Sequence, residues 1–220
     1  MCSSDLTVVF DLDGTLLNTL TDLADAGNRL CRKYGWPTHE RQAYRYFVGN
    51  GIPKLVERLA PADQRTPAVL EAALADFKRD YGQHLRDTTA PYPGIPEMLA
   101  KLKANGVQLA VFSNKADALA KEVVKDYFGT QYFTIVRGQM TGVAPKPAAE
   151  GTNALLQALH ADPASTLYVG DSNVDVETAH NANLPCCGAV WGFRTREELN
   201  AAGAEYLAEN SDELYDVIMK

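Results

Sequence analysis

The chain has 220 residues, 46% of them apolar and 22% charged, and a formal net charge of −7. That length buries a sizeable core and suits one α/β domain or a core carrying a smaller insertion. The acidic balance, with no run of basic residues, argues against a nucleic-acid partner, and no apolar stretch is long enough to span a membrane.

In chain order, Val8-Val9-Phe10 is an apolar, β-prone run that ends in Asp11-Leu12-Asp13-Gly14-Thr15-Leu16. This predicts a buried strand that brings two carboxylates to the edge of a sheet. Like charges so close repel and raise each other's pKa, so the pair calls for a cation or a proton. From Leu16 the spacing turns helical: Leu20, Leu23, Ala24, Ala26, Gly27 and Leu30 share a face, and Gly35-Trp36-Pro37 stops the segment. Helical patterns follow at Gln42 to Val48, after Pro53, and from about Pro67 to Leu85, so residues 16–88 are expected to be all-helical, without a strand. From Tyr92-Pro93-Gly94 strands and helices alternate. Strands are expected at Val107–Phe112, Phe133–Val136, Thr166–Val169 and Cys186–Val190, with a short edge strand and a final helix from Glu205 onward.

The alternation predicts an α/β fold, a Rossmann-like parallel sheet core flanked by helices (1–15 and 89–220), with ligands at the carboxyl ends of its strands. The helical segment 16–88 is expected to be a small inserted α-helical cap domain that acts as a lid. The polar start Met1-Cys2-Ser3-Ser4-Asp5 has no basic region followed by an apolar one. The four cysteines form no Cys-x-x-Cys pair and the four histidines show no ligand spacing. Together these fit a protein of the reducing cytoplasm, without a disulfide framework or a zinc site.

Polar groups gather at the strand ends: Asp11 and Asp13, Ser113-Asn114-Lys115, Pro145-Lys146-Pro147, and Gly170-Asp171-Ser172-Asn173-Val174-Asp175. In one parallel sheet they would converge on a single crevice. The chemistry that uses such a set is phosphoryl transfer through an acyl phosphate. Asp11 is the expected nucleophile, and Asp13 the acid for the leaving oxygen and then the base for water. Mg2+ would be held by Asp11, Asp171 and the main-chain carbonyl of Asp13. Ser113 and Asn114 are expected to donate to the phosphoryl oxygens while Lys146 supplies positive charge.

The segments Phe10-Asp11-Leu12-Asp13-Gly14-Thr15-Leu16, Ser113-Asn114, Lys146-Pro147 and Gly170-Asp171-Ser172 with Asp175 resemble the four ordered motifs of the haloacid dehalogenase-like superfamily. The resemblance spans nearly the whole chain and is strongest to its phosphoglycolate phosphatase group, through Val48-Gly49-Asn50-Gly51, Tyr92-Pro93-Gly94 and Ser113-Asn114-Lys115. It implies a magnesium-dependent phosphatase for a small phosphorylated metabolite, with 2-phosphoglycolate as the leading substrate. Pyrophosphate, a nucleotide or a sugar phosphate stays open, as does a β-phosphoglucomutase-like phosphomutase. A dehalogenase usually lacks the second aspartate, and the intact motifs speak against a disused scaffold. Ala148 departs from the bulkier residue that relatives commonly carry after Lys146-Pro147.

Several residues keep two readings. Gly49, Asn50 and Gly51 would form either a substrate-anion site before a helix or a plain loop. Asp175 would bind metal through water or orient Lys146, or else serve as a first-turn helix acid. Ser113 could instead be a helix cap, Thr15 a turn residue and Lys146 a solvated loop lysine. Arg45 and Arg58 could meet a substrate carboxylate or simply be exposed.

Overall fold

The computed structural model describes residues 6–220; Cys2 and the rest of the polar start lie outside the described residues. The chain forms two units, one that runs to Leu17 and resumes at Pro91, the other spanning Asn18–Ala90. It opens with β1 (Thr7–Phe10) and leaves the first unit through β2 (Leu17–Asn18). Four helices follow: α1 (Leu20–Tyr34), α2 (Arg41–Phe47), α3 (Ile52–Leu59) and α4 (Pro67–Gln83). The chain returns through β3 (Ala90–Pro91), which pairs with β2. It continues as α5 (Ile95–Ala104), β4 (Gln108–Ala116), α6 (Asp117–Phe128), β5 (Ile135–Gln139), α7 (Ala149–Leu159) and β6 (Thr166–Gly170). The last elements are α8 (Asn173–Asn181), β7 (Cys186–Ala189), α9 (Arg196–Ala202), β8 (Tyr206–Ala208) and α10 (Ser211–Ile218).

The first unit is the expected α/β core. Six strands run in the order β5-β4-β1-β6-β7-β8, and every pairing is parallel. β1 lies between β4 and β6, with Val9 opposite Ala110 on one side and Tyr168 on the other. Val9, Ala110, Tyr168 and Cys186 share a face and pack against Leu155 and Leu156 of α7, Val176 and Ala179 of α8, and Leu199 of α9. The strands are apolar on both faces because helices cover the sheet. Since β5 and β6 lie on opposite sides of β1, the strand order reverses there, and the carboxyl end of β1 opens at the switch point.

Three elements differ from the sequence expectation. β2 is a strand inside the stretch read as all-helical, because its partner β3 lies far along the chain and leaves no local signal. β4 does not stop at Phe112 but continues through Ala116, with a shift of register against β5 between those residues. β5 begins at Ile135 rather than Phe133, whose ring instead packs edge-on against Phe10 and Phe128 at 6.5 and 6.0 Å.

In the second unit α1 buries Leu23, Ala24, Ala26, Gly27, Leu30 and Cys31. It ends at Gly35, whose left-handed backbone closes the helix with bonds to Arg32 and Cys31. Tyr44, Leu55, Val56, Leu59, Ala73, Phe77 and Tyr81 complete that core. The Tyr44 hydroxyl donates to Asn28 Oδ1 at 2.9 Å. Among the described residues no helix is long and apolar enough to cross a membrane.

Candidate active site

Asp11 stands one residue beyond β1, and its N–H donates to the Val169 carbonyl at 2.8 Å, which extends the β1–β6 pairing to the site. Its carboxylate is buried, and Oδ1 lies 3.0 Å from Lys146 Nζ. That ion pair lacks hydrogen-bond geometry, so Oδ1 is a buried oxygen without a hydrogen bond. Burial pushes the Asp11 carboxyl up to about 7. The Lys146 ammonium pulls against this and the Asp175 charge adds to it.

Lys146 lies on the loop before α7 and is only 3% exposed. Its Nζ donates to Asp175 Oδ1 at 2.7 Å, and to the Tyr168 hydroxyl and the Phe112 carbonyl at 3.3 and 3.4 Å. Burial pulls this ammonium's pKa down, yet the charges of Asp11 and Asp175 outweigh it and hold the value well above that of a free lysine. A solvated loop lysine is thereby replaced by an enclosed cation. Asp175 fulfils two of its sequence readings at once. One oxygen meets Lys146, while the other accepts from the Ser172 N–H and hydroxyl at 3.1 and 2.7 Å and caps α8.

Asp171 follows β6 and is 1% exposed. Oδ1 accepts from the Thr15 hydroxyl at 3.1 Å and Oδ2 from the Phe193 N–H at 2.7 Å. The Trp191 indole N–H donates to the Thr15 carbonyl at 3.0 Å, so the loop after β7 secures both partners. Close approach demands glycine here, because a Cβ on Gly14 or Gly192 would fall 2.3 or 2.2 Å from an Asp171 atom. Desolvation, and then the charges of Asp175 and Asp11, drive the Asp171 pKa well upward.

Asp13 does not join this cluster through its side chain, and both its oxygens face Lys115 Nζ at 2.9 and 3.1 Å. Sequence reasoning gave Lys115 no role, since the irregular end of β4 that delivers it has no local signature. Ser113 is not a helix cap, for α6 starts after Ala116; its hydroxyl accepts the Lys115 N–H at 3.2 Å. Asn114 grips the Lys146 peptide, with Oδ1 accepting the Lys146 N–H at 2.8 Å and Nδ2 donating to the Lys146 carbonyl at 3.2 Å. It therefore holds the lysine loop.

Gly49, Asn50 and Gly51 lie in the helical unit, between α2 and α3. Gly49 and Gly51 have φ of 111° and 82°, conformations that suit glycine. Asn50 Oδ1 accepts from Arg58 Nη2 at 2.8 Å. Arg58 Nη1 also donates to the Phe47 and Tyr46 carbonyls, so this guanidinium braces the loop and the end of α2.

One carboxylate oxygen from each of Asp11, Asp171 and Asp175 falls within 4.8 Å of the others, an oxygen donor set suited to a hard divalent cation. Charge points the same way. With every group ionised, the carboxylates of Asp11, Asp13, Asp171 and Asp175 outnumber the ammonium groups of Lys115 and Lys146, an imbalance that favours a bound cation. Asp11 Oδ1, ion-paired with Lys146 but without a hydrogen bond, keeps lone pairs that a cation could use.

Residues 8–189 match the family model of the haloacid dehalogenase-like hydrolases. A phosphoglycolate phosphatase of Thiobacillus denitrificans is 31% identical over 84% of this chain and 83% of its own. That of Chromobacterium violaceum is 31% identical over 96% of this chain and 95% of its own. A solved structure from Lactobacillus delbrueckii subsp. bulgaricus, provisionally named a phosphoglycolate phosphatase, gives a TM-score of 0.92 at 27% identity and covers 98% of both chains.

Proposed function

The chain belongs to the haloacid dehalogenase-like hydrolase family and is a phosphatase, and from this we propose that it is a magnesium-dependent phosphomonoester hydrolase that carries the phosphoryl group on Asp11. The observation that bears most weight is the buried Asp11 carboxylate, 3.0 Å from Lys146 and grouped with Asp171 and Asp175. The relatives' names support a small phosphorylated metabolite as substrate, with 2-phosphoglycolate the first choice.

An Asp11 carboxylate oxygen attacks phosphorus, and the ester P–O bond breaks as the new one forms. Asp13 gives its proton to the departing alkoxide. In the second step Asp13 takes a proton from water, whose oxygen attacks the same phosphorus. The acyl phosphate P–O bond breaks, phosphate leaves and the Asp11 carboxylate is restored. Lys146 balances charge on the nucleophile and the phosphoryl oxygens. Ser113 accepts a main-chain N–H, which leaves its own hydrogen for a phosphoryl oxygen, and Asn114 keeps Lys146 in place. Magnesium, held by Asp11, Asp171 and the Asp13 carbonyl, would neutralise the approach of two anions.

In this reading residues 16–88 are the cap domain, and the Gly49-Asn50-Gly51 loop carries substrate specificity. Its glycine conformations and the Arg58 brace support a built loop rather than a slack connection. Cys31, Cys186 and Cys187 are buried free thiols, which supports a reducing, cytoplasmic setting.

The test is a kcat/KM screen of phosphorylated metabolites with and without Mg2+, on the parent and on Asp11→Asn and Asp13→Asn. Each variant should fold, Asp11→Asn losing about 10⁴-fold or more in turnover and Asp13→Asn about 10²–10⁴-fold. Mg2+ should raise the parent's melting temperature but not that of Asp171→Asn. Full activity in either catalytic variant would end the mechanism. Preference for pyrophosphate or a nucleotide, or isomerisation of a hexose phosphate, would replace the substrate and leave the chemistry standing.

A further inference from the structure

Among the described residues the buried lysines are Lys115 and Lys146, and each serves one member of the Asp11-Leu12-Asp13 pair. We infer that Lys115 is a positioning residue of the reaction, which sets the Asp13 carboxylate for proton transfer. This rests on the acid–base role proposed for Asp13.

Lysine is almost never buried without a partner, and enclosing an ammonium is costly. The Lys115 side chain is 2% exposed, and its Nζ meets both Asp13 oxygens at 2.9 and 3.1 Å. A single cation against both oxygens fixes the rotation of the carboxylate, which one hydrogen bond would not.

The backbone is shaped to bring Lys115 there. β4 shifts its register against β5 between Phe112 and Ala116, so Lys115 leaves the regular alternation of the strand. The neighbouring strand makes room with Gly138, where a Cβ would fall 2.4 Å from the Lys115 carbonyl oxygen. Asp117 Oδ1 then accepts the Gly138 N–H at 3.0 Å and holds the two strands at that approach. Ser113 adds a third restraint by accepting the Lys115 N–H at 3.2 Å.

A misaimed Asp13 harms most the reaction that needs its proton most. With an activated leaving group such as p-nitrophenolate, protonation contributes little to breaking the ester bond. With phenolate it contributes more. Lys115→Met should therefore lose activity unevenly, with a loss about 10-fold greater on phenyl phosphate than on p-nitrophenyl phosphate, a fraction of the ~10²–10⁴-fold that a general acid supplies. A lysine that only supported the fold would lower both rates alike. Lys115→Arg keeps the cation and should bring the ratio of the two rates back towards the parent's.

The experiment measures kcat/KM on both esters with Mg2+ for the parent, Lys115→Met, Lys115→Arg and Asp13→Asn, the last by single turnover with excess enzyme. Circular dichroism checks folding, and Lys115→Gln replaces the methionine variant if that one does not fold. A raised ratio in Asp13→Asn together with an unchanged ratio in the neutral Lys115 variant sinks this inference alone. An unchanged ratio in both removes the acid–base role of Asp13 itself.

Discussion

Asp11 and Asp22 are both buried aspartates, one in each unit, and they are satisfied in opposite ways. Asp22, on the first turn of α1, accepts the N–H and hydroxyl groups of Thr88 and Thr89 at both oxygens. Asp11 has a buried oxygen with no hydrogen bond, a lysine beside it and two further carboxylates nearby. The helical unit uses its buried charge to tie α1 to the segment before β3. The sheet unit leaves its own short of saturation, which is what the proposed binding of a cation and a phosphoryl group requires. Burial alone does not mark a reactive carboxylate; what distinguishes Asp11 is the capacity left over.

The sharpest way to break the contrast is to remove the shared cation of the sheet unit. Lys146→Met leaves Asp11 and Asp175 enclosed without their counter-charge, and breaking a buried pair from one side costs about 3–5 kcal/mol. The variant should unfold at correspondingly lower denaturant, and turnover should fall by ~10²-fold or more. A midpoint within error of the parent's would mean that Asp11 and Asp175 are better hydrated than their burial implies.

This contrast was half legible in the amino-acid sequence. Asp11, Lys146 and Asp171 declare themselves because each follows or precedes a regular element whose periodicity can be read, and parallel strands put their carboxyl ends together. Asn114 reads as a site residue but not as the grip on Lys146, and Lys115 reads as having no role. Both sit where β4 departs from regular pairing, and Gly138 in the neighbouring strand makes room for that departure. Asp22 is hidden for a related reason. It reads as an ordinary acid in a first helical turn, and its threonines lie 66 and 67 positions away. The β2–β3 pairing is silent in the same way. Groups that regular parallel strands deliver to one sheet edge were readable, whereas contacts that depend on an irregular strand end or on a remote partner without periodicity were not.

Asp22→Ala examines the saturated side of the comparison. It removes the acceptor that the buried Thr89 N–H and hydroxyl share, while Thr88 is exposed and can turn to water. Hydrogen bonds to a charged acceptor contribute about 1.5–3 kcal/mol, so a loss of about 2 kcal/mol is expected in denaturant unfolding. Asp22→Asn keeps one acceptor oxygen and should lose less. Equal losses in the two variants would show that packing, not hydrogen bonding, is what the carboxylate provides.

The smallest effect is expected where the helical unit carries charge at its surface. Asp76 on α4 meets Lys33 Nζ at 2.6 Å and the Tyr34 hydroxyl at 2.8 Å, and also pairs with Arg79. The hydrogen bond from Lys33, followed by that from Tyr34, lowers the Asp76 carboxyl from 3.8 to about 2. A depressed folded-state pKa stabilises the fold above the unfolded value, and that contribution disappears as pH falls from about 4 to about 2. Asp76→Asn should therefore differ slightly from the parent at neutral pH, and the two stability curves should merge across that acid window. Added salt should shrink the neutral-pH difference, because exposed pairs are screened. A gap that persists well below pH 2 would assign the role of Asp76 to its shape rather than its charge. The surface network would then resemble Asp22 more closely than it does here.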